Sequence, residues 1–466
     1  SNPDLIQVIE IEPQTLWYRY GSGLDSFIYD KQITNYLKGL NKPLLFHGVG
    51  YPVGGSIQPD PIHLPCLKSM MEDLRPVWMS EHLSFNTIMI DDVACNTNFL
   101  LPPLQTNESV QQIAHSIKEY ASRFSIPFAF ETGVNYLSPK AFELEDGDFV
   151  NQIAIASEAS VLLDIHNLLA NELNGRQKIG DFMSQLEPEK VLQIHLAGGF
   201  YFDNYYLDAH SNVSSEEVLE VFEKIVKRLP NLKAITFEML PDYLALIPQK
   251  SISVQLEKMN RIWEKRGTEL KNKQPVSRSE NKPTVACPAI QEWENTLGLL
   301  AINRVPGETS PLLVELENDK GLSVIKQLIE KFKGSLVVSS LKLSCRYIML
   351  YYDVDTLNEF LRSFWQISLP KLFASDNGLD FADYLLSCDQ IKKHQLLPDL
   401  IIYEKSSLLT LLDQQTRKIE MSFNPTELIP FLAEYNLPPL LHTGKYIIEI
   451  LPEENYTENI STVFHS

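Results

Sequence analysis

Short apolar runs that finish on a histidine or a carboxylate recur through the first half of the chain. The residues between consecutive runs carry the spacing of amphipathic helices. The sharpest run is Leu44-Leu45-Phe46-His47-Gly48-Val49-Gly50. Its length suits a strand buried on both faces, and the Gly-Val-Gly after the histidine is where such a strand must stop. Further strands are read at 8–12, ended by Pro13, and at 77–82, 127–131, 161–167, 191–196 and 234–238. Helical spacing predicts helices over 25–40, 64–74, 109–123, 148–159, 182–186, 216–229 and 253–265, while 91–103 reads as irregular. The strand tips at 47, 82, 131, 164, 195 and 238 lie 35, 49, 33, 31 and 43 residues apart. Those are β-α repeat lengths, and their succession predicts an α/β fold of the TIM type, a (β/α)8 barrel whose strand ends open on one face. Seven strands are counted. The eighth is expected at the N-terminus, where the chain opens without a methionine.

After residue 265 the pattern changes. Residues 266–284 are rich in Lys, Asn, Ser, Glu and Pro and read as a linker, which bounds a first domain at 1–265 and a second at 285–466. In the second, helical spacing covers 323–332, 339–364, 379–386 and 396–413, and strands at 418–423 and 445–450 flank a helix at 425–435. This predicts a smaller, mainly helical α+β domain.

Composition then narrows the function. Sixty acidic against forty basic residues in 466 give a formal charge of −20, which would repel a polyanion over most of the surface, so nucleic acid is not an expected partner. No apolar run is long enough to span a bilayer, and a soluble, cytoplasmic protein is expected. The five cysteines show no CxxC spacing, so neither a disulfide framework nor a thiolate zinc site is suggested.

The barrel reading collects His47, His82, Glu131, Asp164, His166, His195, Asp208, His210 and Glu238 in one mouth. One histidine at a strand end is commonly a satisfied polar residue. Five histidines with four carboxylates in a common place are different, because burying that much charge without compensation is prohibitive and metal cations supply the compensation. Nine donors exceed the six of one octahedral ion, so two or three metals are expected. Imidazole and carboxylate without thiolate suit iron, manganese or zinc, with Glu131 and Glu238 as bridging candidates. Glu10 and Glu12, at the end of the first strand, read equally well as a solvated strand terminus.

The motifs Phe46-His47-Gly48-Val49-Gly50, Ser80-Glu81-His82-Leu83, Phe130-Glu131-Thr132-Gly133, Leu163-Asp164-Ile165-His166-Asn167, Ile194-His195-Leu196-Ala197-Gly198, Asp208-Ala209-His210 and Phe237-Glu238 stand in a telling order. Across residues 6–265 the chain resembles the multinuclear non-haem iron-dependent oxidative enzymes, the group containing the methanobactin-maturation oxidase. The resemblance implies an oxidoreductase with two or three irons, as Fe2+ or Fe3+, that uses O2 to modify a ribosomally made precursor peptide, commonly at cysteine. By likeness, His47, His82, Glu131, Asp164, His195, Asp208, His210 and Glu238 would be ligands, and His166 stands where the family often has asparagine. Gln14-Thr15 replace an expected Glu-Asn pair. In the second domain the stretch Phe364-Trp365 through Pro370, with Leu372-Phe373-Ala374-Ser375, Phe381-Ala382-Asp383-Tyr384-Leu385 and Leu397-Pro398-Asp399, resembles the partner protein usually encoded beside such oxidases, which implies peptide recruitment in cis. A helical scaffold is the plainer reading of that domain. The rival for the barrel is a zinc- or manganese-dependent hydrolase or isomerase of the endonuclease IV or sugar-isomerase type, which also gathers His, Glu and Asp at strand ends.

Overall fold

A computed structural model describes residues 3–19, 27–269, 286–307, 309–371 and 373–452. Its centre is a parallel sheet of seven strands, Ile9–Ile11, Leu44–Gly48, Met79–His82, Phe128–Glu131, Ser160–Asp164, Val191–Leu196 and Ala234–Phe237, hydrogen-bonded in chain order. This is the expected barrel with the seven strands counted, near closed. Among the described residues the first and seventh strands are not paired, yet Leu45, Trp78 and Ala234 pack together across the interior with Val8 and Leu192.

Alternation does the positioning. Successive side chains in a strand point to opposite faces. Leu45 and His47, Ser80 and His82, Ala129 and Glu131, Leu162 and Asp164, Gln193 and His195 therefore point inward as pairs, apolar or neutral below and titratable above. Register sets the heights: His47 lies beside Ser80, His82 beside Glu131, and His195 beside both Asp164 and Thr236. Outward-facing residues such as Phe46, Met79, Phe128, Phe130, Leu163 and Ile194 form the main core with the surrounding helices.

Several local expectations are corrected. Residues 27–29 are a strand paired with Trp17–Arg19, and the helix begins at Lys31 because Asp30 caps it, accepting from the N–H groups of Gln32 (2.7 Å) and Ile33 (3.0 Å). Residues 165–167 are the first turn of helix Ile165–Leu173 rather than strand, with Asp164 as N-cap accepting from Asn167 N–H at 2.8 Å. The stretch expected to be irregular is a hairpin, Phe85–Ile90 with Val93–Leu101, turned on Asp91 and Asp92 at φ 49° and 62°.

That hairpin is the dock for the chain beyond the barrel. Helix Ile290–Ala301 lies on it: Trp293 donates its indole N–H to Pro102 O (3.1 Å), Met89 N–H donates to Asn295 (3.0 Å), and Gly298 lets the helix close onto Ile88. Helix Lys320–Ser340 approaches from the other loops, where buried Lys140 pairs with Asp319 at 2.5 Å. Residues 290–329 thus share a core with barrel loops 85–142, and a separate core spans Val337 to Leu432. Of the expected linker, only 266–269 fall among the described residues. No helix among the described residues is long and apolar enough to cross a membrane.

In the C-terminal core, the Glu404 carboxylate accepts the N–H groups of Leu343 and Ser344, each at 2.7 Å, at the start of helix Lys342–Tyr351. Burial pushes its pKa up to about 7. Between the ordinary glutamate range and about 7, the folded chain binds the extra proton. Stability should therefore fall as pH rises through that window. Denaturant unfolding of the wild type and Glu404→Gln between pH 5 and 7.5 is expected to show a downward slope in the wild type that is shallower in the variant; equal slopes would refute it.

Candidate metal centre

All nine predicted donors meet at the C-terminal mouth of the barrel, linked in a chain of contacts. Glu131 is its hub. Its Oε2 lies 2.6 Å from His82 Nδ1 and 3.3 Å from His47 Nε2, and its Oε1 lies 3.2 Å from His195 Nδ1. The same His195 nitrogen lies 3.1 Å from Glu238 Oε1, and Glu238 Oε2 lies 3.6 Å from His210 Nδ1. His210 Nε2 is 2.7 Å from Asp208 Oδ1, which is 3.7 Å from His166 Nε2. Asp164 joins at the centre: one ligand atom each from Glu131, Asp164, His195 and Glu238 lies within 4.8 Å of the others, as do those of His47, Glu131 and His195.

Different elements deliver the two halves. His47, His82, Glu131, Asp164 and His195 stand on strand ends, whereas Asp208 and His210 follow the hairpin Phe200–Phe202/Tyr205–Leu207, and His166 is on the first turn of its helix. Two glycines make room. A Cβ on Gly48 would sit 2.0 Å from Glu81 Oε1, and one on Gly199 would sit 2.9 Å from the His166 ring.

Charge is concentrated here at a cost. Burial disfavours the ionised form of Glu131, but His82 and His47 outweigh it and hold the carboxyl well below its usual range. Burial alike opposes protonation of His47 and His210, yet Glu131 lifts the first to about 9 and Asp208 the second to about 10. Asp164 goes the other way: burial and then the charges of Glu131 and Asp208 raise it well above a normal aspartate.

The donors' own atoms fit metal ions. Glu131 Oε2, Asp164 Oδ2, Asp208 Oδ1 and His210 Nε2 are buried away from water, and their nearest polar neighbours are one another's side chains, Glu131 Oε2 2.6 Å from His82 Nδ1 and Asp208 Oδ1 2.7 Å from His210 Nε2. Protons on the imidazoles are what balance the carboxylates here, and burial opposes those protons. A cation between them removes that cost, and the oxygen and imidazole set suits a first-row divalent metal.

Residues outside the predicted set hold these donors in place. Ser80 Oγ is 2.8 Å from His47 Nδ1, which leaves Nε2 facing Glu131. Glu10 Oε1 lies 2.7 Å from His195 Nε2 in an ion-pair contact, leaving Nδ1 for the mouth. Gln193 stands below, accepting from Trp78 Nε1–H (2.7 Å) and donating to Glu10 (2.5 Å) and Thr236 (2.9 Å). Burial raises the Glu10 carboxyl, but His195 outweighs it and the group lies below its usual range. Burial raises the carboxyl of Glu12, the residue directly after this strand, and the charge of His47 partly opposes that rise. The even spacing of Val8 and Glu10 was the available signal.

Residues 26–247 match the model of the family described as RiPP precursor modification enzyme MbnB/TglH/ChrH. A UPF0276 protein of Chromobacterium violaceum is 29% identical over 187 residues, 40% of this chain and 66% of that one. Another, from Psychromonas ingrahamii, is 23% identical over 222 residues, 46% of this chain and 77% of that one. The chain thus spans just under two thirds of the first relative. Among solved structures, D-psicose 3-epimerase with D-tagatose from Clostridium cellulolyticum H10 covers 57% of this chain and 91% of its own, at 12% identity and a TM-score of 0.36, and nothing about chemistry follows from it. The matched segment holds the motifs from His47 to Glu238, six of the seven strands and the nine donors of the mouth, and it is similar to the MbnB/TglH/ChrH family of RiPP precursor modification enzymes.

Proposed function

We propose that this chain is an O2-dependent iron enzyme that modifies a ribosomally made precursor peptide at cysteine. The observation that supports it most is the unbroken run of donors from His82 through Glu131 and His195 to His166, with its oxygens and nitrogens buried away from water. His47, His82 and Glu131 would hold one ion, Glu131, Asp164, His195 and Glu238 a second, and His166, Asp208 and His210 a third. Bound iron would supply open positions for thiolate and O2 and the one-electron chemistry that couples them.

The residues of the chain do the rest. Ser80 and Glu10 fix the ring faces of His47 and His195, so that each presents one defined nitrogen to the mouth. Glu131, 2% exposed, keeps its charge among three histidines in a place from which bulk water is excluded. His82, Asp208, His210 and Glu238 line the more open side, from which a peptide side chain would enter. The region after residue 285 would recruit the peptide in cis, since helix Lys320–Ser340 touches the hairpin that carries Asp208 and His210 through Lys331 stacked on Phe202 at 4.1 Å.

Co-expression with a short cysteine-containing peptide encoded beside the gene tests this reading. Under air and with iron, the peptide is expected to change mass at its cysteine, and purified enzyme with that peptide is expected to consume O2. Stoichiometric zinc with no O2 uptake and no mass change would refute it and favour the hydrolase or isomerase reading.

A further inference from the structure

Asp208 and His210 are carried by no barrel strand, so their position must be set by other contacts. They alternate with Leu207 and Ala209, which pack into the core that the barrel loops share with Leu322 and Ile325 of helix Lys320–Ser340. His210 has a φ of 45°, in the left-handed region that a side-chain-bearing residue adopts only where its surroundings impose it. Restraints stand at both ends of this arm. Downstream, His210 O accepts from Leu240 N–H at 2.9 Å, and Ser211 N–H donates to Gly198 O at 2.8 Å. Upstream, the Asn174 side chain accepts from Tyr206 N–H (2.8 Å) and donates to Tyr206 O (2.9 Å). Asp208 then donates its own N–H to the hydroxyl of Tyr136 at 3.1 Å.

Tyr136 is 4% exposed, on the loop between Glu131 and helix Asp146–Ser157, with its ring edge-on to Tyr205 of the hairpin (centroids 6.4 Å apart). That loop is gripped from the region beyond the barrel. Asp319, which caps helix Lys320–Ser340, accepts from Ser138 N–H (3.0 Å) and the Lys140 ammonium (2.5 Å) with one oxygen, and from Gly321 N–H (2.9 Å) with the other. Gly321 stands against Tyr136 itself: a Cβ there would lie 1.9 Å from the Tyr136 carbonyl oxygen. Further along the same helix, Lys331 stacks on Phe202 of the hairpin at 4.1 Å. One helix thus touches both the loop that supplies the hydroxyl and the hairpin that supplies the donors.

We propose that Tyr136 is a positioning residue for Asp208 and His210, and that helix Lys320–Ser340 sets it in place, so that the region after residue 285 completes the site of His166, Asp208 and His210. This rests on the reading of that site as one that holds a metal ion. Ligand groups must be kept within about 0.5 Å of their working geometry, and the bond from Tyr136 fixes the backbone of the residue that carries the carboxylate. A tyrosine that only filled the core would be matched by phenylalanine, which packs alike and differs in leaving the Asp208 N–H without its acceptor. The two roles therefore part in what they affect. Lost packing would weaken every ion in the mouth, whereas a lost hydroxyl weakens one.

Tyr136→Phe in the full chain tests this with two readouts, and because it keeps the ring its fold is expected to match the wild type by circular dichroism. In the metal-free chain, hydrogen–deuterium exchange over residues 205–211 is expected to speed up at least tenfold, while strands Phe128–Glu131 and Val191–Leu196 keep their wild-type rates. After anaerobic loading with 57Fe(II) against a ferrous chelator, one ion is expected to bind at least tenfold more weakly and to lose its Mössbauer doublet, the remaining ions being held as in the wild type. Asp208→Asn is the control and should lose that same ion. Gly321→Ala, on a helix that supplies no donor, is expected to give the same selective weakening. Three results would overturn the proposal and leave the metal reading standing: unchanged exchange in Tyr136→Phe, equal weakening of every ion, or wild-type iron affinity in Tyr136→Phe or Gly321→Ala while Asp208→Asn loses an ion. Full iron retention in Asp208→Asn would instead overturn the metal reading of this site, and the proposal with it.

Discussion

Glu131→Gln is expected to cost the chain at least one bound metal ion and to lower turnover by more than about 100-fold. Outer-shell partners of metal ligands are typically worth about 10–100-fold in affinity or activity. Glu131 stands inside that shell, with both oxygens aimed at histidines from three different strands, 2.6 to 3.3 Å away. Glutamine keeps the shape and the packing, so the variant should fold. What it loses is the negative charge and one acceptor oxygen, at the point shared by both donor groups that converge within 4.8 Å. Metal analysis of the purified variant beside the wild type reads the effect directly, and circular dichroism checks the fold. Full metal occupancy in Glu131→Gln would remove Glu131 from the centre.

The second large effect is expected from a residue that need not touch a metal. Glu10→Gln should weaken metal binding by about 10–100-fold while leaving the number of sites unchanged. The Glu10 carboxylate faces His195 Nε2 at 2.7 Å, and Gln193 anchors its other oxygen, so the charge below the ring favours the tautomer that presents Nδ1 to the mouth. Removing that charge frees the ring to flip or to change tautomer, and the donor is presented only part of the time. Competition with a chelator of known affinity measures the change. A variant that binds metal as tightly as the wild type would reduce Glu10 to a packing residue.

These two residues also mark where the sequence was legible. Glu131 was readable because a strand buried on both faces leaves its polar residue only at the tip, and Thr132-Gly133 shows where the tip is. The same logic placed His47, His82, Asp164, His195 and Glu238. Glu10 lacked that mark. Its strand ends at Pro13 after two glutamates, a pattern that a solvated strand end produces equally well, and only the inward register of Val8 and Glu10 separates the readings. The helix that begins at Ile165 was hidden because Asp164 serves both as strand tip and as N-cap, and apolar Ile165 continues the strand pattern. The hairpin at 85–101 was missed because its second strand carries asparagine and threonine, and its turn uses Asp91 and Asp92, with no glycine to announce the positive φ. The packing of residues 290–329 against that hairpin depends on contacts between distant segments, which local periodicity does not encode.

The central claim is that one barrel mouth gathers a multinuclear iron centre. Anaerobic reconstitution of the full chain with ferrous iron, followed by elemental analysis and Mössbauer spectroscopy, tests it most directly. Two or three irons per chain, with at least one lost in Glu131→Gln, is the predicted result. A single ion per chain, or iron content that is the same in wild type and Glu131→Gln, would contradict it.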